Sequence, residues 1–240
     1  METILTALAG ALIGYLLGAF PTGFFAGKLW NVDVRRHGSG RTGGTNVLRT
    51  VGWGAFTITV LGDILKGIIA VLLARGLFPQ AQVAHAATLL GVLLGHNLSV
   101  WIALLAKPDP NARYAPPPVG WGQWLAQQGR GGAGVATSVA AAAALFPPFL
   151  IGAPLPLLLL FVTRYASVAS LSVAALFVVE WFLFALRGDI PWVYFILAIV
   201  ASTIIVLVHL PNIQRLRTGT EKKFGQRLTD RAAPSPKSAD

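Results

Sequence analysis

The residues able to do chemistry fall in three stretches. The first is Gly38-Ser39-Gly40-Arg41-Thr42-Gly43-Gly44-Thr45-Asn46-Val47-Leu48-Arg49. It holds four glycines, three hydroxyls, an amide and two arginines in twelve residues, with no carboxylate. Glycines let successive backbone N–H groups converge on one concavity, which suits a phosphate. Hydroxyls and guanidinium groups add side-chain donors around it. Such loops also serve as plain turns, so the surroundings must decide. The second stretch is Arg130-Gly131-Gly132-Ala133-Gly134-Val135-Ala136-Thr137-Ser138, a glycine turn that leads into an alanine-rich helix. A helix start after glycines is a natural anion site. The third is Val208-His209-Leu210-Pro211-Asn212-Ile213-Gln214-Arg215, with Glu221 beyond it. His209 and Asn212 share a helix face if the helix continues through Pro211. The pair offers one group that exchanges a proton near neutral pH and one amide that can orient a substrate. A basic tail after an apolar run is equally a lipid-surface anchor.

Other polar groups sit in or beside apolar runs. Asp63 and Lys66 are three residues apart, on one helical face. They suit a buried ion pair or a supporting role at the site. His96-Asn97 interrupts a third apolar run, and Ser167 and Ser170 lie in a small polar junction. Familiar catalytic sets are missing. There is no Cys, no HExxH, and no Lys-Ser/Thr after the glycines to make a Walker A loop. No histidine has an aspartate five positions on, and no grouping of carboxylates and histidines reads as a metal site. The sequence therefore calls for no metal and no cofactor.

The elements that must position these groups are apolar. Of 240 residues, 55% are hydrophobic and 12% charged. Soluble domains carry roughly 25% charged residues, so the composition is that of a membrane protein. A net charge of +10 raises the question of nucleic acid, but the cations lie in loops flanking apolar runs, which suits lipid head groups instead. Seven spans are expected, over residues 5–28, 55–73, 83–105, 135–146, 149–162, 173–186 and 192–210. Pro21 should kink the first, and Gly10, Gly14 and Gly18 give it a small-residue packing face. The fifth and fourth are short and flank Pro147-Pro148, so one long broken segment is the other reading. Residues 107–128 form a Pro/Trp-rich insertion, and 232–240 read as a disordered tail of an otherwise single domain, 1–231. One set of loops holds sixteen lysines and arginines and the other set two. That asymmetry puts the N-terminus outside and the C-terminus in the cytoplasm, with all three chemical stretches on the cytoplasmic face.

At this point the chain resembles the bacterial integral-membrane acyl-phosphate:glycerol-3-phosphate acyltransferases, over nearly all of residues 10–225 outside the insertion. The resemblance is carried by Gly14 to Pro21, Gly38-Ser39-Gly40, Gly43 to Arg49, Asp63-Ile64-Leu65-Lys66-Gly67 and Gly95-His96-Asn97. It continues in Gly131-Gly132 with Gly134 to Thr137, Ser167 to Ser170, His209 with Asn212-Ile213, and Gly219-Thr220-Glu221. The resemblance implies an all-α polytopic fold of seven spans in the bacterial inner membrane. It implies transfer of a fatty acyl group from acyl phosphate to position 1 of glycerol 3-phosphate, giving lysophosphatidic acid.

It further implies that Ser39, Gly40, Arg41, Gly43, Thr45, Asn46 and Arg49 bind phosphate with Gly131, Gly132 and Gly134. His209, Asn212 and Ser167 or Ser170 would hold or activate glycerol 3-phosphate, supported by Asp63, Lys66, His96 and Glu221. An acyl phosphate is already activated, so such an enzyme needs no covalent nucleophile of its own. The proton of the attacking hydroxyl goes to His209 or to the leaving phosphate. Three positions depart from the family pattern. Arg41 stands where the family has Asn, Ala133 where it has Lys, and Leu210 where it has Arg. Arg41, Arg130 and Arg113 are the cations able to replace the two lost charges. A divergent inactive relative, or a small transporter using the same pocket, is the competing reading. Against the transporter, the motifs gather on one face, with no inverted pair of broken helices.

Overall fold

The computed structural model describes residues 1–107, 125 and 128–227. Most of the 107–128 insertion and the 232–240 tail lie outside the described residues. Within them the chain is all helical, with a single isolated bridge between Leu98 and Arg130. In chain order the helices are α1 Glu2–Gly18, α2 Thr22–Leu29, α3 Gly44–Thr50, α4 Trp53–Leu77, α5 Gln82–Asn97 and α6 Val100–Leu105. Then come α7 Val135–Leu145, α8 Pro154–Thr163, α9 Ala166–Leu186, α10 Trp192–Val208 and α11 Leu210–Arg217. Short 3₁₀ turns occupy Val34–Arg36 and Pro147–Gly152.

The first span forms as its pattern dictates. Gly10, Gly14 and Gly18 are the buried residues of α1. They let its backbone meet that of α5 so closely that a side chain at any of the three would strike Ala84, Thr88 or Val92. Pro21 cannot continue the helix, so α1 stops and α2 restarts at Thr22. The two together make an apolar run of 28 residues, Glu2–Leu29. This run, α4 with 25 residues and α9 with 21 are each long and apolar enough to cross a membrane. The helices α10 and α11 meet at 55° and together pass the same test. Between α4, α5, α7, α9 and α10 lies an aliphatic and aromatic core. Phe149 stacks on Phe177 at 4.8 Å, and Trp181 follows, 5.8 Å from Tyr194. Helix α8 has no buried residue and turns leucines outward, as a lipid-facing helix does.

The segment expected as one span over 83–105 is instead broken. Helix α5 ends at Asn97, and Ser99 caps α6 by accepting from Ile102 N at 3.1 Å. The Ser99 hydroxyl also donates to the carbonyl of Ala19, left without a helical partner where α1 ends. The break turns the chain at the level of the second glycine turn. In place of spans over 135–146 and 149–162, the helices Val135–Leu145 and Pro154–Thr163 are joined by the 3₁₀ turn Pro147–Gly152.

Candidate active site

The first glycine-rich loop is shaped from within by Asn46. Its amide nitrogen shares two hydrogens among the carbonyls of Val34, His37 and Arg41 (3.0, 3.1 and 2.8 Å), and its oxygen accepts from Ser39 N at 3.0 Å. This buried side chain is fully occupied by its own loop. Its polar atoms meet partners in its own loop, an arrangement suited to holding the loop's shape. Gly38 and Gly40 sit at φ +63° and +69°, a conformation that glycine adopts freely, and they turn Ser39 outward between them. Thr45 lies half-buried in the first turn of α3.

The second glycine turn closes on the first. A side chain at Gly43 would come within 3.2 Å of the Cα of Gly132, so two glycine backbones touch where nothing larger fits. Gly131 N donates to Asn97 O at 2.9 Å. The Asn97 amide, turned to satisfy its neighbours, donates to the carbonyls of Gly132 and Ala133 (3.0 and 3.1 Å). Gly134, in the left-handed region, starts α7. Arg41 bridges the two turns. It donates to Gly132 O at 3.2 Å and, more loosely, to Val208 O at 3.4 Å. Burial, and then the positive Arg130 beside it, push the Arg41 guanidinium down to about 10, so it stays charged at neutral pH. Among the described residues no ion pair to a carboxylate joins these two cations, an arrangement that an anion relieves.

Behind the second turn lies a buried polar cluster. The carboxylate of Asp63 accepts from Lys66 at 2.9 Å and from the hydroxyl of Thr22. Lys66 also donates to Phe20 O at 2.8 Å, at the free end of α1. His96 Nδ1 lies 3.1 Å from Thr137 Oγ1 and 3.6 Å from Asp63. The ring of His96 backs directly onto Gly132. The cluster packs behind the turn, and no space large enough for a water is left among these groups.

The third part is organised by Glu221. Its Oε1 accepts from Ser167 Oγ at 3.0 Å and Asn212 Nδ2 at 2.8 Å, and its Oε2 accepts from Arg215 Nε at 2.7 Å. One buried carboxylate thus ties α9, α11 and the chain after α11 together. Arg49 joins from α3, donating to Lys222 O at 3.0 Å. Burial pushes the Arg49 guanidinium down, while Glu221 pulls it back up. Its Nε is buried with no acceptor among the described residues. Ser170 stands apart, its hydroxyl bonded to Ala166 O within its own helix at 2.9 Å.

His209 sits at the hinge between α10 and α11. Pro211 has no N–H for the carbonyl of Leu207 and its ring would strike it, so the helix breaks. The continuous face expected to carry His209 and Asn212 together is not formed, and Asn212 turns toward Glu221. His209 Nδ1 lies 2.8 Å from Ile205 O. A carbonyl only accepts, so Nδ1 carries the proton and Nε2 of the neutral ring keeps its lone pair. Arg215 was legible only as a tail cation, whereas Arg130 was already a candidate to replace a lost charge. Arg215, six residues before Glu221, had no spacing rule to give it away, and Arg130 gains meaning from its nearness to Arg41.

A family model described as glycerol-3-phosphate acyltransferase matches residues 8–106 and 121–219. A glycerol-3-phosphate acyltransferase of Alkaliphilus metalliredigens is 37% identical over 216 residues, 90% of this chain and 94% of the relative. One from Synechococcus elongatus is 36% identical over 236 residues, 94% of this chain and 98% of the relative. Among solved structures, the chain is similar to PlsY (YgiH), an integral membrane glycerol 3-phosphate acyltransferase. In its glycerol 3-phosphate form, the TM-score is 0.72 at 31% identity, covering 91% of this chain and 95% of that one. The lysophosphatidic acid form gives 0.70 at 30%. With two touching glycine turns, a hinge histidine and a multi-pass helical fold, the chain belongs to the glycerol-3-phosphate acyltransferase family.

Proposed function

We propose that this membrane acyltransferase takes a fatty acyl group from an acyl phosphate. It delivers the group to position 1 of glycerol 3-phosphate, giving lysophosphatidic acid and phosphate for phospholipid synthesis. The solved relative exists in forms with a glycerol 3-phosphate and a lysophosphatidic acid, which fit as acceptor and product. The observation that carries the reading is the bridge of Arg41 between the second glycine turn and the end of α10.

The donor and acceptor each bring a phosphate. The loop around Ser39, Gly40, Gly43 and Thr45, with Arg41 and Gly131, Gly132 and Gly134, offers backbone and guanidinium donors for one. Arg49, with its orphaned Nε, is suited to the other. The 1-hydroxyl attacks the acyl carbon, its proton passes to His209 Nε2, and the bond from acyl carbon to phosphate oxygen breaks. The released phosphate then takes the proton from His209. Donors fixed before the reaction stabilise the charge on the carbonyl oxygen and on the departing phosphate. Ser167 and Asn212 orient the acceptor through the Glu221 hub, Ser170 has at most a packing part, and Asp63, Lys66 and His96 support the second turn.

Seven spans, with the N-terminus outside and the reaction on the cytoplasmic side of the bacterial inner membrane, complete the proposal. The short helices α5, α7 and α8 serve as thin spans, and the cation asymmetry of the loops gives the orientation. Residues 1–231 make one domain with the 107–128 insertion on that face. The test is direct: purified protein, acyl phosphate and radiolabelled glycerol 3-phosphate should yield lysophosphatidic acid. No product, with acyl-coenzyme A active in its place, would overturn the choice of donor. No product from either favours the inactive relative.

A further inference from the structure

One cavity contains none of the candidate active-site residues in its wall. It measures about 610 Å³ and lies where α2 ends, between the basic segment after it and the end of α6. Among the described residues four cations line it, Lys28, Arg35, Arg36 and Lys107, against one carboxylate, Asp33. That carboxylate is already engaged by Arg35 Nε and Nη2 at 3.0 and 2.8 Å. Lys28 and Arg36 stand off at 4.0 Å, with side chains 50% and 52% exposed. The described lining is left with three positive charges in excess.

The floor is apolar. Lys28 Nζ and the Arg35 guanidinium both lie over the ring of Phe24, at 5.5 and 5.1 Å, which directs them into the same space. Leu105 lines the wall and is 65% exposed, and Leu29 next to Lys28 is 70% exposed. Lys28 sits in the last turn of the apolar run Glu2–Leu29. The cavity therefore opens at the level where hydrocarbon gives way to head groups.

Cations above, leucines beside and a position at the membrane boundary together match one kind of ligand. We propose that this cavity binds the phosphate head group of an anionic membrane lipid, separately from the catalytic pocket. The phosphate accepts from Lys28 and Arg36, and the acyl chain runs along Leu29 and Leu105. A soluble phosphate would have no use for the leucines. The site backs onto the first glycine-rich loop, because a side chain at Gly40 would come within 3.2 Å of Arg35 O. A bound lipid thus steadies that loop from behind.

The lipid phosphate can come from bulk phospholipid or from the lysophosphatidic acid product. The test uses full-length protein immobilised in neutral detergent, with radiolabelled phosphatidylglycerol, lysophosphatidic acid or phosphatidylcholine. The variants are Lys28→Gln with Arg36→Gln, and the charge-keeping Lys28→Arg with Arg36→Lys. The wild type should retain phosphatidylglycerol, and the glutamine pair should weaken that retention about tenfold or more. The charge-keeping pair should retain it, phosphatidylcholine should not bind, and turnover in phosphatidylcholine nanodiscs should be unchanged. Retention of lysophosphatidic acid but not phosphatidylglycerol, lost in the glutamine pair, would support the site and assign it to the product. Equal retention of every lipid by wild type and glutamine pair overturns it. If the glutamine pair does not fold, the wild type decides. Phosphatidylglycerol retention must fall as salt is raised, and retention indifferent to salt overturns the proposal.

Discussion

Arg41 donates from Nη1 to the carbonyl oxygen of Gly132, 91 residues further along the chain and 3.2 Å away. Its other nitrogen reaches toward Val208. Gly132 directly precedes Ala133, and Val208 lies two residues before Leu210, the two positions where the family resemblance leads one to expect cations. One long side chain thus spans the neighbourhood of two lost charges. With the phosphate role proposed for it, Arg41→Asn should lower kcat/KM about a hundredfold or more, because a charged donor leaves a half-buried site. Adding Ala133→Lys and Leu210→Arg to that variant should restore much of the activity. Steady-state kinetics in nanodiscs checks both steps. Full activity of Arg41→Asn alone would remove the replacement argument.

Glu221 is the second point at which a single change has several consequences. Glu221→Gln keeps the shape but exchanges a carboxylate for an amide, leaving Arg215 without its charge partner. Arg215 is 39% exposed, which moderates the cost. A loss of about 1–3 kcal/mol is expected, together with reduced activity, since three hydrogen bonds meet on this group. Thermal unfolding in detergent measures the first and turnover the second. Ser167→Ala removes one of those bonds and should cost about 1 kcal/mol with a moderate rise in KM. If Ser167→Ala instead left stability intact and abolished kcat, Ser167 would be a substrate-contacting group rather than a brace.

These two residues also mark the limits of sequence reading. The all-helical membrane fold, the break at Pro21 and the glycine face of α1 were legible, because span length, proline and small-residue spacing act locally. The polar stretches were legible as chemistry because glycines, hydroxyls and cations are unusual between apolar runs. What the chain did not disclose was division of labour. Asn46 and Arg41 lie five residues apart in one loop, yet one braces it and the other leaves it. That difference depends on contacts 91 and 167 residues away, which no local pattern encodes. The break at Leu98-Ser99 was hidden for a similar reason. His96-Asn97 interrupts the run but apolar residues resume after it, and the turn is set by Ser99 meeting the end of α1.

His209 offers a sharper kinetic test. With Nδ1–H held by Ile205 O, its Nε2 is the group suited to take the hydroxyl proton. His209→Ala should lower kcat by about 10²–10⁴ while KM for glycerol 3-phosphate changes little. His209→Gln can imitate the hydrogen bond but not the proton transfer, and should be equally slow. Full turnover of His209→Ala in membranes would return the proton to the leaving phosphate and reduce His209 to a hinge residue.

Gly14 tests the fold far from the chemistry. It faces Thr88 on α5, and a β-carbon there would collide with the Thr88 backbone. Backbone cannot move aside as a side chain can, so α1 and α5 must separate. Gly14→Ala should destabilise the protein by about 1–3 kcal/mol, even though alanine is the better helix former. Helix α5 ends in His96 and Asn97, which hold the second glycine turn. Displacing α5 should therefore lower activity as well as the unfolding temperature. Gly76→Ala is the control, since nothing lies within 4 Å of a β-carbon at that position in α4. It should raise stability slightly and leave turnover alone. Equal behaviour of the two variants would mean that the α1–α5 contact tolerates separation, and that the glycine turn is held by other means.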